Sequence, residues 1–546
     1  MKKLQPVGLS LLSGLLLYAS WPVSPFTFLV FIAWLPLLFA AGSVEKRLTF
    51  FFYSFITMLT WNACTTWWLW NSTDVGSIAA IIANSLIMTL PWWGYHIFKS
   101  KYGNKAGYFS LVIFWMLFEY IHLNWQLSWP WLTLGNVFAS QPGWVQWYEY
   151  TGTSGGTLWV LLVNILLFDA LLQWRNKTNR VYKISFAAAA IILPFAISFI
   201  TNPKTENTVV TTIGEPANNV IIVQPNIDPY DEKFDASTVS TQLALLISLS
   251  EQALDTNTRL VVWPETALPA GVWQEEFKNA QIYQPVFAFA NRHPNITLVT
   301  GIETFKNYGA VKETNTARLN EADHSYYDVF NASVAIKANT ALQFYNKSKL
   351  VPGVETLPDF LLWMSPVFEK FGGSTGGYGK SKESAVFGDK SSAYISAQII
   401  CYESIYGEYV ASYVSKGANI LTIMTNDGWW GNTPGHKQHL DYARLRAIET
   451  RKWVVRSANT GISAVINTRG EIVASQPWNK AAYIKANVPA INGETFYVKY
   501  GDLLSKTASA FGVLLIAWNI AVTFTRSTPP SATPKSRSAQ PTATAA

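Results

Sequence analysis

Three side chains able to do covalent chemistry stand at the ends of short apolar runs in the second half of the chain. Glu265 follows Val261, Val262, Trp263 and Pro264; Lys347 lies in Tyr345-Asn346-Lys347-Ser348-Lys349-Leu350-Val351-Pro352; Cys401 follows Ile399 and Ile400. A cysteine thiolate is a nucleophile, a glutamate a general base, and a lysine ammonium a partner for developing negative charge. Each residue alone also has an ordinary reading: an exposed loop carboxylate, a solvated basic turn, and a small buried hydrophobe. The order and placement of the set carry more than any member. Cys64 and Cys401 are the two cysteines, in such different surroundings that no shared disulfide is expected.

The elements that must position these groups are short. Within 207–500, β-rich runs at 220–223, 260–263, 298–301, 333–337, 395–400, 420–424 and 461–466 alternate with helical patterns, which predicts an α/β domain. Helical spacing is clearest over 439–453, where Leu440, Ala443, Ala447 and Ile448 share one side. Gly379-Lys380-Ser381 is not a phosphate loop, because Ser374 stands where that loop needs glycine. His436 and His439 open a helix without a companion HExxH or cysteine pattern, so they read as structural rather than metal-binding.

The first 201 residues have another texture. Charged residues are 14% of the 546-residue chain, against about 25% in soluble domains, and Trp supplies 24 positions. Apolar runs at 6–21, 25–41, 48–70, 77–98, 106–121, 157–174 and 184–200, with an eighth at 507–525, predict eight membrane-spanning helices. The first is read as a retained helix rather than a signal peptide. All eleven Lys and Arg before residue 200 fall in four clusters, at 2–3, 46–47, 99–105 and 175–183, and the intervening connections have none. That alternation places the basic connections in the cytoplasm and 207–500 outside. The net charge of +7 is then topological and not a nucleic-acid footprint. Glu119 and Asp169 read as hydrogen-bonding groups near helix ends. The expected division is a membrane domain at 1–201, a catalytic domain at 207–500, a last helix at 507–525 and a disordered tail at 527–546.

Glu, Lys and Cys in this order, in the strings WPET, YNKSKLVP and CYES, resemble the nitrilase superfamily. Such a domain between a seventh and an eighth span is similar to the apolipoprotein N-acyltransferase family, and VQPNI, TNDGWWG and RSANTGISA support the likeness over nearly the whole chain. The resemblance implies an α-β-β-α sandwich and the final step of bacterial lipoprotein maturation. An acyl chain would move from a membrane phospholipid to the N-terminal amine of a diacylglyceryl cysteine on an apolipoprotein, at the periplasmic side of the inner membrane, without cofactor or metal. It assigns Cys401 as nucleophile, Glu265 as base and Lys347 as oxyanion partner, and it matches Glu355 to a further glutamate and Tyr402 and Glu403 to neighbours of the nucleophile. An ester is exchanged for an amide most simply through a thioester. The Cys401 pKa is expected to fall beside Lys347. Two departures occur: the family's HLVPFGE reads Lys349-Leu350-Val351-Pro352-Gly353-Val354-Glu355, and an aromatic that is commonly Trp is matched by Phe234. With water as acceptor, the same residues would make a membrane-tethered amidase; a non-enzymatic lipid-binding or transport protein is the reading from another class. Segments 360–364 and 372–379 are expected to form a movable, membrane-facing rim.

Overall fold

The computed structural model describes residues 4–173, 180–202, 218–364 and 377–527. The predicted tail from 528 onward, residues 372–376 of the predicted rim, and Arg175 and Lys177 lie outside the described residues.

Two sheets form the centre of the second half. The first carries β1 (Asn219–Gln224), β2 (Thr258–Val262), β3 (Leu268–Trp273), β4 (Thr297–Gly309), β5 (Arg318–Asn320), β6 (Ser325–Ile336) and β7 (Gln343–Asn346). The second carries β8 (Val386–Phe387), β9 (Ser396–Ile400), β10 (Ile420–Thr425), β11 (Val454–Ala458), β12 (Ala464–Ile466) and β13 (Ile472–Ser475), and β14 (Ala482–Asn487) returns to the first. The strand orders are β14-β1-β2-β4-β6-β5, with β3 on β4 and β7 on β6, and β13-β12-β11-β10-β9-β8. β1, β2 and β4 run parallel, as do β9, β10 and β11.

Side-chain alternation explains the layering. Val220, Ile222, Leu260 and Val262 point toward the second sheet and pack with Ala397, Ile399, Leu421 and Val454. Ile221, Val223 and Val261 point the other way, under Leu243, Leu246, Val286 and Phe289 of the Val239–Ala253 and Gln284–Arg292 helices. The Gly407–Ser415 and Pro434–Thr450 helices cover the second sheet. The result is a helix-sheet-sheet-helix sandwich. The helix expected at 439–453 instead spans Pro434–Thr450. Thr433 caps it by accepting from the Gly435 N–H, and Arg451, with φ of 50°, ends it so that β11 can begin.

The expectation of eight spans is corrected. Among the described residues, five helices are long and apolar enough to cross a membrane: Asp74–Tyr102, Asn104–Leu123, Thr153–Leu172, Val181–Thr201 and Leu503–Thr525. The first run makes a helix of 17 residues, about 25 Å long and short of the ~30 Å hydrocarbon core. The second breaks into a 3₁₀ turn at Thr27–Phe31 and a short helix at Leu35–Gly42. The third, Arg47–Thr66, carries Asn62, Thr65 and Thr66 near its end, which lowers its hydropathy. These segments still pack into one core in which Trp34 meets the rings of Trp61, Trp92 and Trp115.

Glu119 accepts from Trp115 Nε1, the Leu134 N–H and Thr157 Oγ1, and Asp169 pairs with Lys183. The connection after the Asn104–Leu123 helix is built from 3₁₀ turns at Pro130–Leu132, Leu134–Phe138 and Pro142–Trp144, and it is largely buried beneath the sandwich. Trp21 Nε1 donates to Tyr442 Oη, Tyr442 Oη to the Trp131 carbonyl, and Tyr402 Oη to the Ser128 carbonyl, so the two halves share a polar seam.

Candidate active site

β9 ends at Ile400, and Cys401 turns out of the sheet with φ of 49°, a left-handed conformation that costs a residue with a Cβ. The short helix at Cys401–Ile405 starts there. The turn is held from both sides: Ser404 Oγ donates to the Cys401 carbonyl at 2.7 Å, and Glu403 Oε2 accepts from the Ile400 N–H at 2.9 Å.

Glu265 leaves β2 through an equally sharp turn. Thr266 has φ of 47°, and a Cβ on Gly301 of the neighbouring strand would lie 2.7 Å from the Glu265 Cα, so glycine is required there. Glu265 Oε1 accepts from Asn331 Nδ2 at 2.8 Å and Lys347 Nζ at 3.2 Å, and Oε2 accepts from the Asn426 N–H at 3.1 Å. Lys347, one residue past β7 and 1% exposed, also donates to Glu355 Oε1 at 2.9 Å. Glu355 folds back over the Pro352-Gly353 turn, where Gly353 has φ of 83°, and its other oxygen accepts from the Val351 N–H at 2.8 Å. The changed loop therefore still delivers this carboxylate to the lysine.

The structure brings Glu265, Lys347, Cys401 and Glu355 into one electrostatic cluster, since the Lys347 ammonium is acted on by all three partners. Burial opposes that ammonium, but Glu265 and Glu355 more than offset it and hold its pKa above the ordinary lysine range. The expected fall in the Cys401 pKa is corrected. Burial, reinforced by the Glu265 charge, outweighs Lys347 and raises the thiol above its usual value. The raised pKa favours the thiol form of Cys401 at neutral pH.

Tyr402 and Glu403 do different work from these four. Tyr402 points into the seam with the first half, through Ser128. Glu403 is fully buried and accepts from the Ser348 and Lys349 N–H groups at 2.7 and 3.2 Å, from Tyr345 Oη at 2.6 Å and from Ile400 N. It fastens the lysine loop to the cysteine turn. Burial raises its pKa against those donors.

Sequence reasoning missed several supporting residues. Asn331 donates to both Glu265 and Glu355. Lys233, 1% exposed, donates to the Glu265 carbonyl at 3.2 Å, and burial lowers its pKa to about 8. Behind Cys401, Arg456 and His439 bind Asp427 at 2.6 and 2.9 Å, and His439 Nε2 lies 2.9 Å from Ser404 Oγ and 3.2 Å from the Cys401 carbonyl. The strings TNDGWWG and RSANTGISA were the signal for Asp427 and Arg456; nothing marked Asn331 or Lys233. Of the predicted rim, Asp359–Met364 forms a 3₁₀ turn tied to the first half by Gln126 Nε2 donating to Asp359 Oδ2 at 2.7 Å. It presents Trp363 at 76% exposure, which a helix packed on the sandwich would not. Phe234, also exposed, stacks on Trp429 with ring centres 6.3 Å apart.

A two-sheet sandwich with Glu, Lys and Cys converging from three strand ends defines a carbon-nitrogen hydrolase domain, and residues 219–492 match the Carbon-nitrogen hydrolase family. Residues 13–166 match the Apolipoprotein N-acyltransferase N-terminal domain. The apolipoprotein N-acyltransferase of Chlorobaculum tepidum is 31% identical over 519 residues, covering 92% of this chain and 94% of its own. That of Geobacter metallireducens is 26% identical over 520 residues, covering 93% and 94%. Among solved structures, the CN-hydrolase superfamily protein XC1258 of Xanthomonas campestris aligns with a TM-score of 0.34 at 16% identity, over 50% of this chain and 91% of that one. The chain belongs to the apolipoprotein N-acyltransferase family. It is an acyltransferase of lipoprotein maturation, and its long apolar helices accord with a membrane protein.

Proposed function

We propose that the enzyme takes an acyl chain from a membrane phospholipid, holds it as a thioester on Cys401, and passes it to the N-terminal amine of a diacylglyceryl cysteine. The Cys401 sulfur attacks the ester carbonyl while its proton passes to Glu265. The tetrahedral oxyanion is held by the Lys347 ammonium and the Tyr402 N–H, which lies in the first turn of the Cys401–Ile405 helix, where backbone N–H groups lack intrahelical acceptors. As the carbon–oxygen bond breaks, Glu265 returns the proton to the lysophospholipid alkoxide. In the second half the amine nitrogen attacks the thioester, Glu265 takes the amine proton and passes it to the departing Cys401 sulfur as the carbon–sulfur bond breaks, so the amide forms and the thiol is regenerated. Glu355 holds Lys347 from the other side and balances charge in this second step.

The observation that carries this reading is the buried Glu265–Lys347 contact at 3.2 Å beside a buried cysteine held at a left-handed strand end. Incubating the purified protein with a labelled phospholipid, without acceptor, tests it. The Cys401 peptide should gain one acyl mass, and loss of that mass on adding a lipopeptide should accompany acylation of the peptide amine. An unmodified Cys401 in active enzyme would refute the covalent route.

Orientation is part of the same reading. The sandwich contacts the Trp21, Asn71 and Ser128 ends of the first half, which carry no Lys or Arg, while Lys46, Arg47, Lys99 and Lys101 stand at opposite helix ends. The charge-poor side, with the catalytic residues, is accordingly periplasmic, and the membrane is the inner membrane, crossed more than once.

A further inference from the structure

A cleft between the two halves takes no part in the chemistry above. It is lined by Tyr120, Asn124, Lys349, Tyr406, Glu408 and Asp502 with other residues, and it is a small, partly open cleft. Tyr120 and Asn124 mark one end of the Asn104–Leu123 helix and Asp502 the start of the Leu503–Ser527 helix, so the cleft sits at the level where membrane helices meet lipid headgroups. The Lys349 ammonium lies over the rings of Tyr406 at 5.1 Å and Tyr409 at 5.5 Å. Among the described residues it makes no hydrogen bond and no ion pair. Burial lowers its pKa against the negative charges of Glu403 and Glu408, and exposed Lys380 adds a second positive charge nearby. The two acids of the cleft are engaged elsewhere: Glu408 pairs with Lys506, and Asp502 accepts from Ser154 Oγ and the Ser505 N–H.

We propose that Lys349 and this cleft bind a phosphate group, that of the acyl donor's headgroup, and so set the donor's acyl ester at Cys401. The inference rests on the acyl-transfer reading and adds the place where the donor is recognised. An unpaired ammonium among tyrosines is completed by an oxyanion, and a charge-assisted bond of that kind is among the strongest polar contacts. Location supports the donor as its source. Lys349 is two residues past Lys347, Tyr406 five past Cys401, and in a glycerophospholipid the phosphate is only a few bonds from the acyl carbonyl.

The test uses the full chain carrying Cys401→Ala, which cannot accept an acyl group, in nonionic detergent. Fluorescent short-chain phosphatidic acid is compared with diacylglycerol of the same chains. The Cys401→Ala protein should prefer phosphatidic acid; adding Lys349→Met should cut that preference about tenfold, and Lys349→Arg should restore most of it. No preference, or a preference unaltered by Lys349→Met, overturns the proposal. So does equal loss of both lipids, which would make Lys349 a fold-supporting residue only. Millimolar inorganic phosphate distinguishes the remaining source: if it occupies the site while the two lipids bind alike, the cleft is a free-anion site and the headgroup assignment fails. Because no turnover is involved, discrimination that persists where the wild-type enzyme forms no acyl-enzyme would fault the catalytic reading and leave this site standing.

Discussion

Glu265→Gln separates a base from a structural carboxylate. The change keeps shape and removes charge. In the structure one carboxylate oxygen accepts from Asn331 and Lys347 and the other from the Asn426 N–H, so a glutamine can keep only one side. Whichever way the amide turns, it sets donor against donor, and one buried donor left unpaired costs about 1–3 kcal/mol. Lys347 retains Glu355 at 2.9 Å, so the ammonium is not stranded. Against a typical stability of about 5–15 kcal/mol the protein stays folded, and its melting temperature drops by a few degrees. Activity should fall much further, because a general base contributes about 10²–10⁴-fold. The assay is single-turnover acylation of Cys401 by phospholipid, run beside alkylation by iodoacetamide on the same sample. The Glu265 charge is one cause of the raised Cys401 pKa, so its removal should leave alkylation undiminished or faster while acylation collapses. Equal slowing of both reactions would refute the reasoning and reduce Glu265 to a packing residue.

Cys401→Ala should abolish transfer and Cys64→Ala preserve it, as measured by lipopeptide acylation. The Cys401 pKa is raised above the unfolded thiol value near 8.5, so the folded state holds a proton that the unfolded state loses at high pH. The wild-type melting temperature should therefore decline more steeply above about pH 8.5 than that of Cys401→Ala, and parallel curves would contradict the shift. Glu355→Gln should slow transfer to the amine at least tenfold while acyl-enzyme still forms, because Lys347 keeps Glu265; undiminished rates in both half-reactions would return Glu355 to a surface role. Glu403→Gln should lower the rate of both half-reactions about tenfold without changing donor KM, since Glu403 joins the Lys347 and Cys401 segments and reaches neither substrate; a change confined to KM would count against it. Trp363→Ser should leave the melting temperature unchanged and impair long-chain donors more than short ones, given that the ring is exposed at the rim; unfolding would show that the segment is core.

What the sequence made legible was what short-range patterning encodes. The strands ending before Glu265 and Cys401 announce themselves by Val261-Val262-Trp263 and Ile399-Ile400, because a strand buried on both faces reads as an unbroken apolar run. Helix limits were less legible. Pro434 suits the first turn of a helix, yet the apolar stripe becomes visible later, and the end at Arg451 depends on a left-handed residue that no side-chain pattern announces. The span count failed for a related reason. Hydropathy over 25–41 is continuous, but a 3₁₀ turn at Thr27–Phe31 interrupts the helix, and composition does not encode that break.

The direction of the Cys401 pKa shift was misjudged because a sequence shows which charges are available and hides how much solvent is removed around them. Lys347 is indeed a neighbour that favours thiolate, and read alone it gives an activated cysteine. The fold adds burial and a carboxylate, and their combined effect is larger. The same burial explains why Asn331 escaped notice: an asparagine on a strand carries no motif, and its importance arises only when β6 places its amide between Glu265 and Glu355. A cysteine kept as thiol until an ester arrives suits an enzyme that must hold a reactive group at a lipid surface. In the proposed mechanism the proton leaves when Glu265, held by three donors, is presented with an acyl carbon whose oxyanion Lys347 can meet. Resting stability and catalytic power then come from the same buried cluster, and disturbing any member should register in both.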